Sequence, residues 1–260
     1  MVIRILDQNG DTAPLGKHWI SSFLRRNPRV HSVVGRTIEA ARAKAATPDA
    51  IRAFLELFEH TRSRLNVCYA DIYNMDETGI ALGVCSNSQV VASATKRKAY
   101  VQSPETREWV SIIECVSATG AKLSPVIVFK GQNLQSSWFP SQAIPEWYYT
   151  TSANGWTSND IRFEWLSRIF ITETADRAAQ LRNRLLILDG HGSHITLEFM
   201  WACYQHSIYL LYLPAHSSHI LQPLDLAPFS VTKSSYRDQI RALAALDDAA
   251  PIKKQAFISI

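Results

Sequence analysis

Arg184-Leu-Leu-Ile-Leu-Asp-Gly-His-Gly-Ser-His194 is the stretch from which the rest of the chain is read. Leu185 to Leu188 is an unbroken apolar run that stops at Asp189. A short continuous run bounded by turn residues predicts a strand buried on both faces. A carboxylate at the end of such a strand is costly unless something compensates it. Two glycines then make a tight exit, and Ile195 to Ser207 reads as a helix. Strand, acid, sharp turn and helix is the way open α/β sheets present chemistry at strand ends. A turn-forming Asp before Gly is the competing explanation of this segment alone.

The chain has 260 residues, 47% hydrophobic and 19% charged, which suits one sizeable core with an appendage. Its net charge of +4 permits a polyanionic partner without requiring one. The distribution says more: Thr12 to Ile38 holds Lys17, Arg25, Arg26, Arg29 and Arg36 and no acid. The cysteines at 68, 85, 115 and 203 have no CxxC spacing and read as small apolar residues of a reducing compartment. No apolar run reaches membrane-spanning length and Met1 to Gly10 is not a signal peptide, so an intracellular protein without membrane partners is expected.

Working outward, Leu15 to Asn27 predicts a short amphipathic helix with Trp19, Ile20, Phe23 and Leu24 on one face, ended by Pro28. Lys17, His18, Arg25 and Arg26 lie largely off that face, and Arg29 follows. From composition alone, a solvated basic face is the commoner explanation, and a DNA-recognition helix the sharper one. Thr37 to Leu65 is helical, broken at Thr47-Pro48-Asp49; Pro48 starts a new helix capped by Thr47, with Ile51, Phe54, Leu55 and Phe58 on one side. Strands are expected at Ile72–Met75, Trp109–Val116 and Pro125–Phe129 as a meander, with Asp76 following the first. The Lys96-Arg97-Lys98 triplet reads as an exposed basic loop. Trp138 to Trp156 looks irregular, and Thr157 with Asp160 resembles a capping box for a helix bearing Ile161, Trp165, Leu166, Ile169 and Phe170. That helix crosses over the sheet, so the later strands are expected to run parallel to an earlier one. The helix after Asp189 is expected to turn Leu197, Met200, Trp201 and Tyr204 inward, before a strand at Ile208–Leu213 and a last helix to about Ile240.

Three acids stand out among apolar neighbours: Asp76, Asp189 and Asp225. Carboxylates converging from two strands and one helix make a negative, desolvated cluster that cations must neutralise. Hard oxygen donors without soft ligands suit Mg²⁺ or Mn²⁺. Two such ions about 3.5–4 Å apart are the apparatus of phosphodiester chemistry.

Five motifs occur in order: Tyr73-Asn-Met-Asp-Glu-Thr-Gly79; Ser117-Ala-Thr-Gly120 with Pro125-Val-Ile-Val-Phe-Lys-Gly131; Leu188-Asp-Gly-His-Gly-Ser-His194; Leu213-Pro-Ala-His-Ser-Ser-His219; and Gln222-Pro-Leu-Asp225. Together they resemble the DDE superfamily endonuclease domain of the pogo/Tigger/jerky branch of the Tc1/mariner transposases, over about residues 70 to 240. Leu15-Gly-Lys-His-Trp-Ile-Ser-Ser-Phe-Leu-Arg-Arg-Asn-Pro28 is similar to the end of the centromere-protein-B-type helix-turn-helix of those proteins, which turns the basic helix toward a DNA-binding reading. The resemblance implies an α/β, ribonuclease-H-like mixed sheet flanked by helices. It implies Asp76, Asp189 and Asp225 as catalytic metal ligands for two Mg²⁺ or Mn²⁺ ions, and nicking at transposon ends followed by strand transfer into target DNA. Double-stranded DNA, a homodimer on that DNA, and a nuclear location come with it. Lys17, His18, Arg25, Arg26 and Arg29 are the expected DNA contacts. Glu77 matches the motif but points away from Asp76 along the strand, so it is expected to support the site from behind. His191, His194, His216 and His219 match motif positions too and are expected to order loops or touch phosphate. The domain plan is 1–36, a remnant of the helix-turn-helix whose earlier part is expected to be missing; 37–67, a helical linker; 68–240, the catalytic domain; and 241–260, a tail.

Two rivals remain open at this stage. One is a host-adopted or truncated derivative that binds nucleic acid without cutting it. The other is a zinc hydrolase built on Asp189, His191 and His194, whose spacing matches no zinc pattern.

Overall fold

The computed structural model describes residues 16–29, 47–82, 108–140, 144–189, 196–244 and 254–259. Contacts divide the chain into two compact units, Met1–Glu39 and Ala40–Ile260.

In the first unit, α1 (Trp19–Arg26) occupies the core of the expected helix. Trp19 and Phe23, one turn apart, stack with centroids 5.1 Å apart. Arg25 and Arg26 fall in the last turn, where the helix dipole favours cations. The Asn27 side chain donates to the Phe23 carbonyl at 2.8 Å and closes the C-terminal end before Pro28. Lys17, His18, Arg25, Arg26 and Arg29 are all exposed.

The second unit begins with α2 (Pro48–Arg64), whose Thr47 cap accepts from the Ala50 amide at 3.2 Å, as the Thr-Pro-Asp signal predicts. A 3₁₀ turn, Tyr69–Asp71, leads into the sheet. Its strands are β1 (Ile72–Ala81), β2 (Trp109–Ser117), β3 (Val126–Lys130), β4 (Tyr148–Ser152), β5 (Arg184–Leu188) and β6 (Ile208–Tyr212), in spatial order β4-β3-β2-β1-β5-β6. The β1-β2-β3 meander is antiparallel; β5 runs parallel to β1 and β6 parallel to β5. This is the meander-plus-parallel sheet that the crossover argument predicts. Between β4 and β5 come α3 (Asn159–Trp165), a π turn (Leu166–Phe170), a last helical turn (Ile171–Glu173) and α4 (Ala175–Ala179). After β5 the helices are α5 (Leu197–Gln205), α6 (Ser218–Leu221), α7 (Pro223–Leu226), α8 (Pro228–Ala244) and α9 (Lys254–Ser259).

Both faces of the sheet are covered. On one face Trp165, Leu166, Ile169 and Phe170, with Phe199 and Cys203 from α5, pack on Tyr73, Met75, Val128 and Leu186. On the other, Phe54 of α2 meets Ile72, Leu185 and Leu211. Farther along, Tyr236 of α8 and Phe257 of α9 pack on Ile80, Val110 and Phe129. Two-sided burial is why β5 is written as an apolar run without alternation.

Four expectations are corrected. The first strand does not stop before Asp76 but continues to Ala81, because β2 pairs with it along its whole length. The segment Trp138–Trp156 is not wholly irregular: Tyr148–Ser152 is β4, paired parallel to β3. The cap of α3 is Ser158, which accepts from the Ile161 amide, while Thr157 turns its hydroxyl to Glu77. On α5 the inward residues are Phe199 and Cys203, and Leu197, Met200, Trp201 and Tyr204 are exposed.

Candidate functional site

β1 outruns its parallel neighbour. Pairing with β5 ends at Asn74 opposite Ile187, and β5 itself ends at Leu188. Carrying that register forward sets Asp76 beside Asp189, both on the face that carries Asn74 and Ile187. Among the described residues no strand pairs with β1 beyond this point on the β5 side, so the two acids stand at a notch in the sheet.

The third acid is brought to the notch by a clamp of amides. Asn74, buried in β1, donates through Nδ2 to the Ile187 carbonyl at 3.2 Å and to Gln222 Oε1 at 2.9 Å. Its own Oδ1 accepts from the Leu224 amide at 3.3 Å. Asn74 thereby ties the start of α7 to both central strands, and Asp225 follows in the first turn of that helix. Gln222 is fully buried; its Nε2 has no partner at full hydrogen-bond geometry but lies near enough to Asp76 to favour the charged carboxylate. Ser218 of α6 donates to Asp189 Oδ2 at 3.0 Å. Burial first, then the charges of Asp225 and Asp189, push the Asp76 carboxyl up to about 7. The three carboxylates therefore share one field. Among the described residues, no group of three or more His, Cys, Asp or Glu side chains is close enough to hold an ion. The donor chemistry is that of a hard cation, with Asp76 and Asp189 on adjacent strands and Asp225 delivered by α7.

Glu77 lies on the opposite face, where Arg162 Nη2 donates to it at 2.9 Å and the Thr157 amide and hydroxyl also bind it. His219 lies in α6, beside the Ser218 that reaches Asp189, with its Nδ1 buried and unpaired among the described residues. His216 takes a left-handed φ of 62° in the loop before it and is exposed. His191 and His194, and with them the zinc alternative, lie outside the described residues, as does Lys96-Arg97-Lys98. The basic residues of α1 and its flanks belong to the first unit.

Asn74, Gln222, Ser218, Thr157 and Arg162 are site residues that the sequence argument did not single out. The available signal was a polar side chain inside an apolar strand, since a buried amide must find partners. A cavity of about 370 Å³ opens at the notch, with Asp76, Asp189 and Glu77 on its lining and Trp156 on one wall.

A mixed sheet in this order, with helices on both faces and acids on β1 and beyond β5, defines a ribonuclease-H-like domain. A family model described as DDE superfamily endonuclease matches residues 106–258, more than half of the chain, and the chain belongs to that family as a pogo/Tc1-mariner-type transposase domain. Asp189 and Asp225 fall within the match and Asp76 precedes it. Over 187 residues the chain is 40% identical to MFS-type transporter clz9 of Cochliobolus lunatus, covering 72% of this chain and 20% of that protein. It is 22% identical over 234 residues to the human pogo transposable element with ZNF domain, covering 87% of this chain and 16% of that protein. The chain thus spans a fifth or less of the length of either relative. Among the described residues no helix is long and apolar enough to cross a membrane. The fold matches the crystal structure of a pre-cleavage Mos1 transpososome with TM-score 0.57 at 12% identity, covering 98% of this chain and 72% of that one. The Mos1 mariner paired-end complex with Mn gives TM-score 0.53 at 11% identity, covering 95% and 67%.

Proposed function

We propose that this chain is the catalytic portion of a DNA transposase, nicking double-stranded DNA at transposon ends and joining the freed 3′ end to target DNA. The observation that carries the reading is the strand register that, carried forward, sets Asp76 beside Asp189, together with the Asp225 charge acting on Asp76. Asp76, Asp189 and Asp225 would hold Mg²⁺ or Mn²⁺, two ions at full occupancy, supplying an activated water or 3′-hydroxyl and charge neutralisation at the leaving oxygen. Asn74 and Gln222 hold Asp225 in reach, Ser218 orients Asp189, and Glu77 with Arg162 braces β1 from behind. Support for the metal comes from the oxygen-only donors and from solved Mos1 complexes described with Mn and with Mg.

Lys17, His18, Arg25, Arg26 and Arg29 contribute phosphate contacts from an acid-free exposed helix. A homodimer pairing two DNA ends is the expected assembly, in line with the paired-end descriptions of the Mos1 structures, and DNA as substrate makes the nucleus the expected location. Domain limits of 1–36, 37–67, 68–240 and 241–260 are proposed with it.

The test is nicking of supercoiled plasmid DNA by the full chain with Mg²⁺ or Mn²⁺. Activity that appears with either ion and disappears in Asp189→Asn supports the reading. Folded wild-type protein that binds DNA but never nicks it would establish a non-cutting derivative instead.

A further inference from the structure

We infer that the outer edge of β6 and the exposed side of α5 form one interface, and that its occupant is a second copy of this chain, joined across a two-fold axis without DNA. Such a face gives the homodimer proposed above a contact of its own and does not depend on the nuclease reading.

α5 is apolar on two sides at once. Phe199 and Cys203 pack on the sheet, while Leu197, Met200, Trp201 and Tyr204 recur at helical spacing along the side turned to solvent. Leu197 is 78% exposed, Trp201 57% and Tyr204 73%. Trp201 and Tyr204 stack with centroids 5.6 Å apart, so the stripe is already ordered. A helix that is apolar all round belongs inside something. Tyr212 is exposed on the face of β6 that also carries Ile208 and Leu210, which pack with α5. Together these five side chains leave roughly 600 Å² in water. That is the upper end of the largest patch expected on a monomer, and most of the roughly 800 Å² that each partner contributes to a standard interface.

The strand beneath the helix is open on its outer side. β6 ends the sheet, and among the described residues no strand pairs with its free edge. Leu213 donates to the Leu188 carbonyl at 2.9 Å, and Arg184 to the Ser207 carbonyl at 3.0 Å. Odd-numbered positions of β6 therefore face β5, and Ile208, Leu210 and Tyr212 turn their amides to the open edge. Such edges are normally blunted by charge, proline or a bulge. β6, Ile-Tyr-Leu-Leu-Tyr, has none of these, and its register with β5 is unbroken. A partner that covers strand edge and helix stripe together must present both in the same relative placement. A second copy does so by symmetry. A two-fold axis normal to the sheet pairs β6 antiparallel with β6 of the second copy and joins the two six-stranded sheets. α5 is seated over β5 and β6; with strands about 4.8 Å apart, it comes about 10 Å from its mate, the usual spacing of packed helices. The uncharged stripe meets its own image without like-charge repulsion.

The test is sedimentation equilibrium of the full chain without DNA, in chelator, at up to about 100 μM. Wild-type protein is expected to be a dimer with a dissociation constant in the micromolar range or below. Trp201→Glu, and independently Tyr204→Glu, place a charge in the stripe and should weaken the dimer by about thirtyfold or more. Both positions are exposed, so circular dichroism should match wild type. Tyr212→Pro removes an amide from the open edge without touching the bonds to β5, and should weaken the dimer by about tenfold or more. Leu134→Glu, at an exposed apolar site beyond β3 and across the sheet from β6, should leave it unchanged. A monomer at the highest concentration, or a dimer that survives either the helix variants or Tyr212→Pro, overturns the inference. So does an equal loss in Leu134→Glu, which would mark non-specific association. A monomer that still nicks plasmid DNA with Mg²⁺ removes this face and leaves the proposed function standing. A dimer that never nicks supports the face and removes the proposed function instead.

Discussion

Asn74 and Gln222, 148 positions apart in sequence, meet at 2.9 Å inside the protein, and this contact ties the start of α7, which carries Asp225 in its first turn, to β1. Both side chains are buried, so each amide atom that loses its partner is left dry. Asn74→Ala removes one acceptor and one donor and strands Gln222 Oε1, the Ile187 carbonyl and the Leu224 amide. We expect a loss of about 2–3 kcal/mol in urea unfolding, and a fall in plasmid nicking of about a hundredfold, because α7 is no longer tied to β1. Nicking that falls only in proportion to the unfolded fraction would show that Asn74 acts on stability alone.

The Asp76 carboxyl gives the metal-free fold a pH dependence of known sign. Its pKa is pushed up from 3.8 to about 7, so the protonated form is the one the fold prefers. Stability from this group is complete below 3.8 and is lost as pH rises through about 7. Divalent ions reverse the loss by neutralising the carboxylate cluster. Thermal melts in chelator should therefore fall between pH 5 and pH 8, and Mg²⁺ should raise Tm more at pH 8 than at pH 5. Asp76→Asn should melt higher than wild type in chelator at pH 8 and lose most of the Mg²⁺ response. An equal Mg²⁺ effect at both pH values would sink the link between the ion and Asp76.

What could be read in advance depended on how local the cause was. β5 and the meander were legible because burial on two faces leaves no polar position, and an apolar run records that directly. The start of α2 was legible because Thr47-Pro48 is a local cap. Tyr148–Ser152 hid as loop because it is an edge strand of half-exposed polar and aromatic residues, with no alternation to betray it. Helix α5 misled in the opposite way. Its sequence, Leu-Glu-Phe-Met-Trp-Ala-Cys-Tyr-Gln, is apolar almost all round, so periodicity cannot select a face; the sheet chose the small side carrying Phe199 and Cys203. The acids could be picked out as misfits among apolar neighbours, but their clamp could not. Asn74 to Gln222 is a tertiary contact, and neither residue has a short-range reason to be where it is.

Arg184 is the first residue of β5 and is fully buried. Burial lowers its pKa, opposing the charge, and no carboxylate pairs with it in the described contacts. It is held instead by oxygens at two helix ends: Nη1 donates to Thr174 Oγ1 at 2.7 Å, and Nη2 to the His206 carbonyl that caps α5. The negative ends of helix dipoles stand in for a counter-ion. Arg184→Leu should cost about 3 kcal/mol by leaving those oxygens unpaired. Arg184→Lys should recover only part of it, because one ammonium cannot span the fork. The readout is the urea midpoint at constant m-value; an unchanged midpoint for Arg184→Leu would mean that water replaces the guanidinium.

Gly155 and Gly120 make a matched pair for testing the loop that carries Trp156. Both have left-handed backbones, at φ +81° and +87°, but an added Cβ at Gly120 meets nothing within 4 Å, whereas at Gly155 it comes 2.3 Å from the Trp109 carbonyl oxygen. Gly120→Ala should therefore show backbone strain alone, about 1 kcal/mol. Gly155→Ala adds a backbone clash that no rotamer relieves, so the loop must move, and a loss of about 2–3 kcal/mol is expected. Because Trp156 follows directly and stacks on Trp109, that movement should also change near-ultraviolet circular dichroism and tryptophan fluorescence. Gly120→Ala should leave both spectra unchanged. Similar costs and spectra for the two variants would show that the close approach of Gly155 to Trp109 does not fix the indole.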